Sequence, residues 1–356
     1  MIEKPLSIAI AGLGTVGIGI IKILESNKQL IKNRCGRELK IVAVSARNKR
    51  KQRDVDLSKY EWADDPVSLA RREEIDLIVE VIGGADGPAK AMVETAIKHK
   101  KHVVTANKAM LAEHGHYLAI AAEENNVTIR FEAAVAGGIP IIKALTEGLS
   151  ANKIKKVTGV MNGTCNYILT RMEETKKSYE SVFSEAKSLG YVEADPNLDV
   201  GGIDAAQKLA ILSTLAFNSQ IDFNNILIEG IDRISLIDIE NANSMGYRIK
   251  LLGVSQISGN ILYQSMQPCL VPRTSPLAQL EGGTNMVIIE ADFVGQTAYS
   301  GPGAGEGPTA SAIVSDIIDI ARNNIGPVFG VLATKLSIKS ISIETASSRY
   351  YIRFSL

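Results

Sequence analysis

Three cysteines in 356 residues, Cys35, Cys165 and Cys269, are too few, too scattered and odd in number for a disulfide frame. No C-x-x-C spacing offers a zinc or redox site, so they read as free thiols in a reducing compartment. Net charge is missing too. The 39 Lys and Arg balance 39 Asp and Glu, and no long basic run supplies the patch that a nucleic-acid partner needs. No stretch approaches the roughly 18 to 20 unbroken apolar residues of a membrane span. The amino-terminal apolar stretch reaches Gly12 too soon for a secretory signal. These absences lead us to expect a cytoplasmic protein with neither a nucleic-acid nor a membrane partner. What is present is apolar mass. At 46% apolar residues the chain can bury large cores, and its length suggests two domains with room for part of a third.

The first third alternates short apolar runs with amphipathic stretches, the pattern of a parallel sheet wrapped by helices. Strands are expected at 6–11, 41–45, 75–81, 102–105 and 128–132, and helices at 17–26, 88–100 and 109–125. From about Val135 the texture changes. Pro140 opens a helix over 141–148, and a strand follows at 154–161. Helices at 166–174 and 179–189, a polar loop over 190–201 and a helix over 203–216 come next. Residues 247–300 are strand-rich, with a turn at Ser258-Gly259-Asn260. A late helix over 308–322 carries Ile313, Ile317, Ile318 and Ile320 and is expected to return to the first domain. The predicted class is α/β. A Rossmann-type dinucleotide-binding domain covers 1–134, an α+β domain with an open sheet covers 135–307, and a tail covers 323–356.

The first strand runs into Gly12-Leu13-Gly14-Thr15-Val16-Gly17, a G-x-G-x-x-G that opens a helix. Gly12 permits the tight turn, Gly14 lets the backbone approach a pyrophosphate, and Gly17 lets helix and strand pack closely. Thr15 and Val16 then sit at a helix N-terminus whose free N–H groups and positive dipole end suit a phosphate. A glycine-rich turn that merely packs a βα unit is the plain alternative. The second strand ends without the Asp or Glu that holds a ribose 2′-hydroxyl in NAD-selective sites. Arg47, with Lys49 nearby, suits a 2′-phosphate instead, so NADP is expected in preference to NAD; a solvated basic loop is the other reading.

The most informative stretch runs from Ala186 to Lys208, through Gly190, Tyr191, Glu193, Asp195, Pro196, Asp199 and Asp204. Asp204 and Lys208 lie four apart on one helical face and are neighbours. In isolation such a pair is ordinarily a surface pair, and an acidic loop is ordinarily solvated. The whole stretch, however, closely resembles the homoserine dehydrogenase signature: A-x-x-x-G, an aromatic, D-P-x-x-D, then G-x-D-x-x-x-K. Four more segments resemble the same family in the same order: 104–109 (VTANKA), 132–142 (EAAVAGGIPII), 159–169 (GVMNGTCNYIL) and 301–322 (GPGAGEGPTASAIVSDIIDIAR). With the glycine turn, the resemblance covers residues 6 to 323. Val192 departs from the family's small residue, which touches loop packing but removes no functional group.

The resemblance implies interconversion of aspartate semialdehyde and homoserine, on the way to threonine, methionine and isoleucine, with NADP or NAD as cofactor. Lys208 would act as general acid on the reacting oxygen, Asp204 would orient it, and Lys108 would approach the same oxygen and the cofactor. Hydride arriving at an aldehyde carbon leaves an alkoxide, which a nearby ammonium stabilises and protonates. Glu193 and Asp199 would hold the substrate's α-ammonium, with Tyr191, Gly163 and Thr164 lining that end. Glu132, with carbonyls of Val135, Gly137 and Ile139, resembles the family's Na⁺ site, where oxygen ligands suit a hard cation; a glycine-rich hinge is the other reading. A homodimer is implied, joined near 140–149.

Two rivals compete. A semialdehyde dehydrogenase using Cys165 through a thiohemiacetal needs a base, commonly His, and His99, His102, His114 and His116 all fall in the expected cofactor domain. A non-catalytic dinucleotide sensor predicts erosion of polar site residues, yet Lys108, Glu193, Asp199, Asp204 and Lys208 all stand. Residues 347–356 resemble the first strand of the ACT domain that many relatives append for threonine feedback. A lone strand cannot bury its face. An incomplete domain, or pairing with a partner's sheet edge, is therefore expected, with no threonine inhibition through such a domain. With no kinase segment in front, the enzyme is expected to be monofunctional.

Overall fold

The structure is a computed structural model that describes residues 4–192, 195–341 and 349–354. Its amino-terminal part is built on β1 (Leu6–Ala11), β2 (Leu39–Ser45), β3 (Glu61–Ala63), β4 (Leu77–Glu80), β5 (His102–Thr105) and β6 (Ile129–Arg130). These strands form one parallel sheet in the order β3-β2-β1-β4-β5-β6. Because β1 pairs with β2 on one side and β4 on the other, the chain reverses direction across the sheet there. That switch point opens a crevice at the carboxyl ends of the strands. Helices α1 (Thr15–Ser26), α2 (Lys28–Cys35), α3 (Pro66–Ala70), α4 (Pro88–Lys98) and α5 (Lys108–Glu124) cover the faces.

Some expected boundaries move for local reasons. The strand at 128–132 shortens to two residues, because Glu132–Ala134 winds into a 3₁₀ turn and takes Glu132 off the sheet. Strand β3 was not expected; three residues at a sheet edge carry no readable alternation. Helix α4 stops at Lys98, with Lys100 left-handed at φ 57°.

The second half adds α6 (Ile141–Lys143), β7 (Ile154–Val160), α7 (Gly163–Thr175), α8 (Tyr179–Ser188), α9 (Pro196–Val200) and α10 (Ile203–Phe217). Then come β8 (Leu227–Ile228), α11 (Leu236–Ser244), β9 (Tyr247–Ser258), β10 (Ile261–Pro272), β11 (Thr284–Ala291), β12 (Gln296–Pro302), α12 (Glu306–Ala321) and β13 (Ser340–Ile341). The expected helix over 141–148 is one α turn followed by a π turn, Ala144–Gly148. The polar loop contains α9, started by Asp195, whose carboxylate caps Asn197 N–H at 3.1 Å, and by Pro196 in the first turn. The strands make a seven-stranded mixed sheet, β12-β11-β7-β9-β10-β13, with β8 also on β10. In its antiparallel run the long β9–β10 hairpin turns at Gly259, φ 59°.

Helices α7, α10 and α11 pack on this sheet, and α10 also packs on α5, bridging the two halves of the chain. Helix α12 comes back to lie along α1, where a side chain at Gly19 would run into Glu306 and Ala310. Its Ile313, Ile317 and Ile320 are buried with Ile20, Ile21 and Leu24 of α1, while Ile318 is only partly buried. In the tail, residues 349–354 take no strand conformation. Instead Tyr351 Oη and Arg353 Nε donate to Asp238 of α11, at 3.2 and 2.9 Å.

Candidate active site

Strand β1 delivers the glycine turn to the switch point. Gly12 N–H donates to Ser45 O at 2.9 Å, and Gly12 has φ 104°, so a Cβ there would land on Val81 O. A Cβ on Gly17 would land on Gly12 O, whereas one on Gly14 would have nothing within 4 Å. The turn is therefore tight at its first glycine, packed at its last and open in the middle. The first bond of α1 runs from Ile18 N–H to Gly14 O at 3.0 Å. The N–H groups of Thr15, Val16 and Gly17 thus stand outside the helical ladder, at the positive end of the dipole. Arg47 is exposed just past β2. A residue that sequence reading missed ties this loop to the turn. The Arg53 guanidinium donates to Leu13 O at 3.0 Å and Asn48 O at 2.9 Å, and it lies 5.7 Å from the Trp62 ring centroid.

A cleft of about 470 Å³ extends from this turn. Val16, Ala106 and Thr309 line one part, Gly163, Thr164, Tyr191 and Gly283 another, and Lys108, Asp199, Asp204 and Lys208 lie along it. The α5–α10 contact sets its charged centre. Asn107 caps α5 by accepting from Met110 N–H at 3.1 Å, which puts Lys108 at the first helical position. An ammonium is unfavourable at that end of the dipole unless an anion answers it. Asp204 answers: its Oδ1 is 2.9 Å from Lys108 Nζ, and its Oδ2 accepts from Lys208 Nζ at 2.7 Å. Lys208 Nζ also donates to Met161 O at 2.9 Å. Burial alone would push the Asp204 carboxyl up, but the Lys208 and Lys108 charges and their hydrogen bonds outweigh it and hold it well below the usual carboxylate range.

Asn162, also missed from the sequence, braces the acids. Its Nδ2 donates to Asp199 Oδ1 at 3.0 Å and Asp204 Oδ2 at 3.2 Å, while its Oδ1 accepts from Cys165 N–H at 2.8 Å. Nothing in its spacing marks it, because its partners come from another element. At the far end, Thr164 Oγ1 donates to Tyr191 O at 2.8 Å, and the Tyr191 ring stacks on Tyr167 at 4.7 Å. Glu193 lies outside the described residues. Cys165 is fully buried, its Sγ–H donating to Asp199 O at 3.2 Å. Burial, with the Asp199 and Asp204 charges behind it, pushes the thiol well up. No histidine is among the residues lining the cleft. The thiohemiacetal rival therefore has neither a thiolate nor a base here.

Behind the cleft, both Glu132 carboxylate oxygens accept backbone N–H groups, Ile142 at 2.8 Å and Lys143 at 2.9 Å, and Glu132 N–H donates to Asp316 Oδ2 at 2.8 Å. Burial and then the Asp316 charge push Glu132 up to about 7. Ala136 and Gly137, both left-handed at φ 55° and 52°, fold the chain back on itself. Of the four residues read as a cation turn, only Gly137 lines the cleft; Val135, Ile139 and Glu132 are buried beside it. Arg47 is not among the lining residues. Lys108, Asp204, Lys208, Asp199, Tyr191, Gly163, Thr164 and Val16 share the one cleft.

Comparison with known proteins agrees with this architecture. The family model described as "Homoserine dehydrogenase, NAD binding domain" matches residues 12–132, and the one described as "Homoserine dehydrogenase" matches residues 140–318. The homoserine dehydrogenase of Neisseria gonorrhoeae is 47% identical over 90% of this chain and 73% of its own length. That of Pseudomonas aeruginosa is 42% identical over 98% of this chain and 82% of its own. The crystal structure of a homoserine dehydrogenase from Thiobacillus denitrificans superposes with a TM-score of 0.92 at 41% identity, covering 95% of this chain and 80% of that one. A hyperthermophilic archaeal homoserine dehydrogenase in complex with NADPH superposes with a TM-score of 0.77 at 27% identity, covering 91% of this chain and all of that one.

The glycine turn yields a paired expectation. Gly14→Ala adds a methyl into open space at an allowed φ of −82°, so the thermal midpoint stays put while dinucleotide affinity falls roughly tenfold, about 1.4 kcal/mol. Gly17→Ala collides with the backbone of Gly12 and lowers both. Calorimetric unfolding beside NADP titration separates them; equal stability losses would show that Gly14 is a packing glycine.

Proposed function

The chain belongs to the homoserine dehydrogenase family, an NAD(P)-dependent oxidoreductase that interconverts L-homoserine and L-aspartate 4-semialdehyde in amino-acid biosynthesis, and we propose the following roles for its residues. The observation that carries them is the Asp204 carboxylate held between the Lys108 and Lys208 ammonium groups inside the cleft. When bound, the nicotinamide supplies or accepts the hydride. Lys208 donates a proton to the oxygen of the reduced aldehyde, or takes it from the homoserine hydroxyl in reverse. Asp204 and Met161 O fix Lys208 Nζ so that its remaining direction faces the cleft. Lys108 stabilises charge on the same oxygen. Asp199, with Glu193, holds the substrate's α-ammonium, and Tyr191, Gly163 and Thr164 shape that end. Lys108, with Thr15, Val16 and the glycines Gly12, Gly14 and Gly17, borders the dinucleotide.

We further propose NADP in preference to NAD. Arg47 stands exposed where the second strand ends, no acid stands beside it, and Lys49 and Arg53 gather near Trp62. Glu132, with carbonyls of Val135, Gly137 and Ile139, holds a monovalent cation such as Na⁺. Two buried carboxylates lie close together there, Asp316 accepting from the backbone N–H of Glu132 and Glu132 from those of Ile142 and Lys143, with Lys143 Nζ 3.6 Å from Asp316; a further cation of hard-oxygen preference would offset the remaining negative charge. The division of labour follows the two sheets: 1–134 with helix 308–322 for the dinucleotide, 135–307 for substrate and pairing, and 323–356 as a tail. Pairing as a homodimer uses the second half. Ile141, Ile142, Leu145 and Leu149 turn into the chain's own core. The partly buried Val254, Cys269 and Met286 of the second sheet then offer some apolar surface. No helix among the described residues is long and apolar enough to cross a membrane, and three free thiols, two of them buried, fit a cytoplasmic setting.

Homoserine-dependent reduction of NADP and NAD tests the core of this reading. Lys208→Ala is expected to lose roughly a hundredfold or more in kcat while still binding the dinucleotide, the scale of general acid–base work; a variant that keeps its rate removes Lys208 from the chemistry. Arg47→Ala should raise the KM for NADP about tenfold and leave that for NAD unchanged, as expected for loss of a charge-assisted phosphate contact; an equal effect on both would make Arg47 a bystander. Replacing choline chloride with sodium chloride at constant ionic strength should raise the thermal midpoint of wild type and not of Glu132→Ala. A sodium response that survives in Glu132→Ala would exclude this carboxylate as a ligand.

A further inference from the structure

Asn285 has no place in the roles assigned so far. It stands near the start of β11, paired across the sheet with Gly301 of β12, and is 1% exposed. It is among the residues lining the cleft, two positions after Gly283, which packs on Gly163 at the substrate end, and it lies against Gly303, next to Ala304. The amide is pressed against Gly303 so closely that a Cβ at 303 would fall on its atoms. Its Oδ1 is buried without a hydrogen-bond partner.

That combination is unusual for a cleft so well satisfied elsewhere. Asn162, the other lining asparagine, spends both ends of its amide on named partners. A buried acceptor left unpaired costs stability that an alanine or a leucine in its place would not. Around Asn285 the wall is glycine and alanine: Gly137, Gly283, Gly303 and Ala304. These small residues leave room for a flat ring and bring no side-chain hydrogen-bonding group to it. The terminal torsion of an asparagine is soft. A donor entering the cleft can therefore draw Oδ1 away from Gly303, with no existing bond of that oxygen to break.

We propose that Asn285 is a cofactor-binding residue whose Oδ1 accepts a hydrogen bond from the carboxamide N–H of the nicotinamide, and so fixes which face of the ring meets the substrate. The position favours the ring over the substrate. Asn285 lies against Gly303, next to Ala304, while Asp199, the described acid proposed for the α-ammonium, is held by Asn162. The inference rests on the reading that the dinucleotide lies along this cleft.

The test is equilibrium binding by calorimetry, with NADP and its 3-acetylpyridine analogue, in which a methyl replaces the carboxamide NH₂. Wild type is expected to bind NADP roughly tenfold more tightly than the analogue, the scale of one hydrogen bond in a desolvated site. In Asn285→Ala, and in Asn285→Leu, which keeps the volume and lacks the acceptor, the two ligands should bind within about twofold of each other. Equal weakening of both ligands overturns the inference and leaves Asn285 as a prop for Gly303. A raised KM for homoserine with unchanged dinucleotide binding overturns it too, by making the substrate the partner. If wild type binds neither dinucleotide, the placement of the cofactor in the cleft falls along with the inference; if it binds both and only the coupling is missing, that placement stands.

Discussion

A carboxylate that leaves water gives up far more than one ordinary hydrogen bond returns, and Asp204 is 6% exposed. It stays ionised because two ammonium groups and an amide N–H surround it within 3.2 Å. Each partner depends on it in turn. Lys108 sits at the unfavourable end of a helix dipole, and Lys208 lies mostly below the surface with, among the described residues, the Met161 carbonyl as its other acceptor. Removing the carboxylate would leave two like charges facing each other in a low dielectric, which is why breaking such a cluster costs more than forming it gains. The rest of the site is arranged around keeping this group in place.

That requirement explains the architecture. Asp204 and Lys208 ride on α10, and Lys108 heads α5, so the cluster forms only where those two helices touch. Asn107 serves both demands: its Oδ1 caps α5, and its Nδ2 donates to Gly84 O at 2.7 Å, tying the helix start to the loop after β4. On the other side Asn162 ties β7 and α7 to α9 and α10 through the two acids. The charged centre is thus pinned to both sheets. The return of α12 along α1, made close by the missing side chain at Gly19, adds a further tie between the two halves.

Much of this was legible in the sequence, and the limits have physical causes. The parallel sheet, the glycine turn and the long helices followed from apolar periodicity and from glycines in a strand–turn–helix context. The three-residue strand at 61–63 and the π turn at 144–148 did not, since neither is long enough to show a period. The short helix at 196–200 carried its own cap and proline, but three acids in a row of polar residues disguised it as loop. In the site, Asp204 and Lys208 were readable as an i,i+4 pair, whereas Lys108 joins them only by tertiary contact and was reached through its family motif. Asn162, Asn285 and Arg53 were not singled out. Their partners lie on other elements, and no spacing along the chain announces a hydrogen bond of that kind.

The charges of the cleft suggest why substrate and chemistry are coupled. Two lysines and two aspartates, Lys108, Lys208, Asp199 and Asp204, lie along the described part of the cleft, and the role proposed for Glu193 adds a third acid at the substrate end. In the proposed mode of binding, the α-ammonium of homoserine occupies Asp199. The Lys108–Asp204–Lys208 group itself carries one net positive charge, which in that mode lies beside the hydroxyl. A site enclosed by glycine, alanine and stacked tyrosine rings screens that charge poorly. An oxygen gaining negative charge meets it at nearly full strength. The acids that recognise the amino acid and the ammonium groups that pull on its oxygen thus share one cleft.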